Sequence, residues 1–260
     1  MQDAGSSTPK GVKRMTHIMV PDGVLAPWLW ITSWAAAVIC LALALWATRD
    51  TDRARLVPLA GVLAGVMTLV MSLEIAPLAY EPHLTVLTGI LVGPAYGFLA
   101  TFVFNVLRML LGDGSVTLLG LNTLLLGLET VAGYFVFRTI VRLLPRSPTG
   151  TGVGAALATL VALALASVAF LVTVALGNVP LAELAEVGVV ERLGTESPEL
   201  LAFAGTVLLL GLIGWLLEGV LVGAITAFVR AVRPSLVPVP DGQAVGAAQR
   251  ESETAAIGSA

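Results

Sequence analysis

The apolar runs of this chain constrain it more than anything else in the sequence. Several of them, spread between residues 27 and 232, exceed the roughly 18 apolar residues that suggest a membrane-spanning helix. Polar or proline-rich turns separate them. A soluble globule does not fit 57% hydrophobic and only 12% charged residues with a mean hydropathy of +0.93. The fold class read from this pattern is all-α, a polytopic membrane bundle of six or seven transmembrane helices.

Taken in order, residues 1–14 are rich in Gly, Ser, Thr, Pro and Lys and lack the apolar stretch of a secretory signal peptide. They read as a disordered or processed leader. A first span is expected over 27–47, entered through Trp28, Trp30 and Trp34, which suit the aromatic belt of a membrane interface. A second is expected over 56–73. The apolar stretch 84–111 is broken by Gly93-Pro94, where proline removes a backbone donor and disfavours helix just before it. A short helix followed by a full one is the expectation there. Further spans are expected over 117–144, 153–179 and 200–232, with Pro145 to Gly150 as a turn-rich linker. Residues 15–233 form the membrane domain, and 234–260 read as a disordered cytoplasmic tail because they are Gly, Ala, Ser and Glu rich without periodicity.

Orientation follows from the arginines, since short cytoplasmic loops carry excess Lys and Arg. Arg49, Arg53 and Arg55, then Arg138, Arg142 and Arg146, then Arg230 and Arg233 mark three cytoplasmic positions. The acidic stretches around Glu74 to His83 and 180–199 then lie outside, with the amino terminus, while the carboxyl terminus is cytoplasmic. Lys10, Lys13 and Arg14 are the misfit. The single cysteine, Cys40, can build neither a disulfide framework nor a thiolate cluster. A net charge of −3 without a basic stripe offers nothing to nucleic acid.

Two histidines, His17 and His83, are the whole imidazole supply of 260 residues, and imidazole suits nickel, copper, zinc and iron. His17 sits in Met15-Thr16-His17-Ile18-Met19-Val20-Pro21-Asp22-Gly23. This stretch resembles the amino-terminal signature of the CbiM/NikM family, the substrate-binding membrane subunits of energy-coupling-factor transporters for cobalt and nickel. The resemblance continues through Pro58 to Gly65, His83-Leu84, Gly93-Pro94, Gly112-Asp113-Gly114 to Asn122, and Glu218-Gly219. It implies uptake of Co²⁺ or Ni²⁺ across the cell membrane. The partners it implies are a transmembrane coupling protein, two ATP-binding-cassette ATPases and a small accessory membrane subunit. No Gly-x-x-x-x-Gly-Lys-Ser/Thr loop is present, so ATP hydrolysis falls to other subunits and the chain is not itself an enzyme.

An amino-terminal X-His dipeptide suits square-planar nickel. Its amine and the histidine amide nitrogen close a five-membered ring, the imidazole closes a six-membered one, and a fourth corner stays open. The resemblance assigns that corner to His83. Both the amine and the amide must lose protons, so binding strengthens with pH. In this chain, Met15-Thr16 and fourteen further residues precede His17. A mature amino terminus at Thr16 restores the chelate and removes the three misplaced positive charges. A start at Met15 would let Met-Thr-His supply four nitrogens and make His83 optional. The metal residues expected are therefore Thr16, His17 and His83.

Ionisable residues within spans are costly and often functional. Glu74 either orients a histidine or ends a helix in solvent, Arg108 and Glu129 are expected to pair as a structural bridge, and Asp113 and Asn122 either shape a turn and bond the amino-terminal segment or act directly at the site. Ala35, Ala36, Ala37 and Ala42 with Gly61 and Gly65 are expected to pack helices closely. The alternative function is an energy-coupling-factor subunit for a vitamin or another small molecule. A zinc enzyme is disfavoured, since catalytic zinc usually takes three protein ligands.

Overall fold

The computed structural model describes residues 26–51, 53–72, 81–112, 114–177 and 200–237. Six helices make up nearly all of it: α1 Pro27–Ala47, α2 Arg53–Met71, α3 Thr85–Leu110, α4 Val116–Ile140, α5 Pro148–Leu176 and α6 Leu200–Val232, followed by a 3₁₀ turn at Pro234–Leu236. All six contain a stretch long and apolar enough to cross a membrane. The bundle is all-α, as the composition required.

Helix ends follow local chemistry. Pro27 and Pro148 open α1 and α5 at the position where a missing N–H costs nothing. Ser115 and Ser147 cap α4 and α5 by accepting from the backbone N–H of Leu118 and Gly150. That cap moves the start of α5 to Pro148, inside the segment read from sequence as linker. Residues 234–237, assigned from sequence to the tail, are folded. Arg230 Nη1 donates to the carbonyls of Pro234 and Val237, Arg55 donates to that of Ser235, and Val237 is fully buried.

The break at Gly93 is larger than a kink. Its φ of 82° and ψ of 169° belong to a region that essentially only glycine enters. The chain reverses there, so that a Cβ on Gly97 would lie 3.1 Å from the Cα of Gly89. In a continuous helix, residues eight apart are separated by about 12 Å. The short first segment, 85–92, and the longer second one, 94–110, thus both rest on α4 near Thr130, whose carbonyl would collide with a Cβ at Gly89.

Thr101 and Thr130 share a hydrogen bond across this contact at 3.0 Å, and Asn105 donates to Thr123. Polar side chains therefore tie α3 to α4 inside the bundle, while large aliphatic residues such as Val38, Leu69, Val168 and Val220 point outward. That inversion suits a hydrocarbon surround, in which every internal polar group needs a protein partner. Trp34 Nε1 bonds the Val116 carbonyl and pins α1 to the start of α4.

Helix α6 packs backbone to backbone on α5. A Cβ on Gly223 would lie 2.8 Å from the Gly152 carbonyl oxygen, and one on Gly219 3.2 Å from that of Ala156. Gly61 and Gly65, expected to serve this purpose on α2, instead face open space, and the inner face of α2 is built from Leu63, Ala64 and Met67. Gly93→Ala is expected to destabilise the protein by about 1–3 kcal/mol through backbone strain alone, since there is room for its methyl group. Gly65→Ala, in open space on a regular helix, should be neutral or stabilising by up to about 1 kcal/mol. Thermal unfolding in detergent compares the two.

Candidate functional site

The site grows from the entry into α3. Residues 81–84 are non-helical, and Leu84 adopts the left-handed conformation with φ 55°. For a leucine this costs about 1–3 kcal/mol unless the surroundings hold it. What holds it is Glu218, fully buried on α6. Its Oε1 accepts from the Leu84 backbone N–H at 2.9 Å and its Oε2 from that of His83 at 3.3 Å. Hydrogen bonds to a charged acceptor contribute about 1.5–3 kcal/mol each, enough to offset the strain.

His83 follows from this arrangement. Its main chain is fixed by Glu218, and its ring lies partly buried with Nδ1 3.8 Å from Glu218 Oε2, beyond hydrogen-bonding distance. Among the described residues, Nδ1 is a buried nitrogen without a hydrogen-bond partner.

Glu129 is buried on α4 and accepts from Thr85 Oγ1 at 2.8 Å. The bridge between Glu129 and Arg108 read from sequence is not formed. Arg108 instead lies buried with its guanidinium 5.8 Å from the centroid of the Phe104 ring. Thr88 Oγ1 closes the wall, donating to the Leu84 carbonyl at 3.0 Å and contacting Met67 Sδ at 3.3 Å.

The depth of the site follows from α4. Glu129 stands 13 residues from Val116 and 11 from Ile140, or about 20 and 16 Å at 1.5 Å per residue. The His83 loop, bonded through Thr85 to Glu129, therefore lies half-way along the bundle, where the helix beginning at Thr85 starts in mid-structure. Discontinuous helices that start or stop at this depth are a recurrent way of building ion and substrate sites within membranes.

The expected site residues divide. His83 is at the centre, and Asn122 is half-buried in the second turn of α4. Thr16, His17, Glu74 and Asp113 lie outside the described residues. Among the described residues no three of His, Cys, Asp and Glu come together as a metal cluster. In the sequence Glu218 stood out only as part of the Glu218-Gly219 pair, with no role attached. Its partners lie 134 and 135 residues away, and no spacing rule connects them.

Two solved structures share this architecture. A transition metal transporter superposes with a TM-score of 0.64 at 18% identity, over 82% of this chain and 92% of the other. A truncated transition metal transporter gives 0.58 at 17% identity, over 82% and 96%. At such identities the likeness establishes the fold. No curated protein matches in sequence. The model of the cobalt uptake substrate-specific transmembrane region matches residues 17–236, nearly the whole stretch from His17 to the turn after α6. This chain is a multi-pass membrane protein of the CbiM family of cobalt uptake transmembrane regions.

Proposed function

We propose that the chain is the substrate-capture subunit of an energy-coupling-factor importer, binding Co²⁺ or Ni²⁺ from outside the cell and releasing it inward. The reading rests chiefly on His83, an imidazole set at mid-depth on a backbone that a buried carboxylate holds in a strained conformation. A ring whose backbone is held in one place presents an imidazole nitrogen in a set direction, which is what one corner of a nitrogen-ligated site requires. His17, with its own amide nitrogen and the amine of Thr16, supplies the other three corners.

The chain's own residues bind and orient the ion and keep it from lipid. Its passage inward depends on partners: a transmembrane coupling protein, a pair of ATP-binding-cassette ATPases and a small accessory membrane subunit. Cobalt and nickel share nitrogen ligands, and geometry more than raw affinity selects among such metals.

Replacing His17 by Ala is expected to abolish tight nickel and cobalt binding. His83→Ala should weaken it by at least the roughly 10–100-fold that loss of even an outer partner costs a metal site. Equilibrium binding of a metal panel against vitamins checks this. Wild-type binding by both variants would move the site elsewhere, and selective vitamin binding would favour the alternative substrate class.

On the arginine pattern the amino terminus faces outside, the carboxyl terminus faces the cytoplasm, and the His83 site opens toward the outside. In a chain with Cys40 replaced, an impermeant thiol reagent applied to intact cells should label Val189→Cys and spare Ser147→Cys. The reverse pattern would invert the topology.

A further inference from the structure

We infer that Glu218 is the positioning residue of the site: its carboxylate fixes the His83 backbone and faces Nδ1 of the ring, so that Nε2 is the nitrogen presented to the metal ion. This rests on the proposed role of His83 as a ligand and adds to it the ligating atom and the residue that selects it.

The geometry has three parts. Both Glu218 oxygens are engaged by consecutive backbone N–H groups, those of His83 and Leu84, which sets the height and direction of the loop. Oε2 also stands 3.8 Å from His83 Nδ1, close enough for a small ring rotation to close a hydrogen bond. Nδ1 is buried, and no other group among the described residues bonds it. Two nitrogens distinguish an imidazole, and the one that bonds an outer carboxylate carries the proton and leaves the other for metal. With Nδ1 turned into the protein against Glu218, Nε2 remains.

The same residue joins the site to the packed pair of α5 and α6. Glu218 precedes Gly219, which lies close to the Ala156 carbonyl of α5. Its carboxylate cannot shift relative to the His83 loop unless the α5–α6 pair shifts or the two backbone hydrogen bonds break. A second carboxylate, Glu129, meets the loop one residue later through Thr85, but it bonds a side-chain hydroxyl and leaves the backbone of His83 untouched.

The test uses the full chain in detergent, with Ni²⁺ as the probe, followed by equilibrium binding, by the ligand-field absorption of bound nickel and by thermal unfolding. Glu218→Gln keeps the size but loses the charge, and is expected to weaken Ni²⁺ binding about 10–100-fold and to alter the absorption. Glu218→Asp should recover part of both. Where Glu218→Gln folds poorly, Leu84→Gly in the same chain removes the strain of the left-handed residue. Folding should then recover while nickel affinity and absorption remain altered.

A merely structural role for Glu218 predicts the opposite, with affinity and spectrum returning together with the fold, and this result would overturn the proposal. Wild-type binding and spectrum in Glu218→Gln, with His83→Ala defective, would overturn it while leaving His83 as a ligand. Wild-type binding by His83→Ala would remove both.

Discussion

The hydrogen bonds from His83 and Leu84 to Glu218 join the end of the chain to its middle in the centre of an apolar bundle. A carboxylate in such a place is tolerated only when its oxygens are satisfied and opposite charge or donors lie near. Here the donors are backbone groups that the irregular loop ahead of α3 leaves without helical partners. The loop needs an acceptor and the carboxylate needs donors, so each makes the other possible. Unwound backbone at this depth is viable because it is enclosed by protein.

The rest of the architecture serves that meeting. Gly93 lets α3 double back so that its first segment lies inside the bundle, and the small residues Gly89 and Gly97 let the two halves touch. Gly152, Gly219 and Gly223 bring α6 against α5 closely enough to set Glu218 at the height of the loop. Thr85, Thr101 and Thr130 spend their hydroxyls on partners within the bundle. The apolar side chains of the outer faces contribute span length and lipid compatibility, and the few polar ones determine where the loop stands.

Much of this was legible in the sequence because it is written in local terms. Run length and the tryptophans at its entry placed α1 at its observed bounds, and Gly93-Pro94 marked the division of α3. The start of α5 was read late because apolarity, and not the Ser147-Pro148 cap, was used to find it. His83 stood out through scarcity, one of two histidines in a chain of 260. What escaped were relations between distant residues. The Glu129 hydroxyl partner replaced an expected arginine, and Glu218 acquired its role only when α6 met α3, because a carboxylate's partners across a bundle have no signature in either stretch alone. Gly61 and Gly65 show the same limit from the other side: a pair of glycines one turn apart marks a thin helix face but does not say what lies against it.

The central claim is that one imidazole of an all-nitrogen site is His83, presented on a loop that Glu218 holds. X-ray absorption of the nickel-loaded protein in its mature form tests it most directly, since it reports ligand type, number and imidazole content together. The account predicts a four-coordinate nickel with nitrogen ligands, showing the scattering of two imidazole rings that falls to one in His83→Ala. A six-coordinate nickel surrounded by oxygen, or imidazole scattering that His83→Ala leaves unchanged, would contradict it.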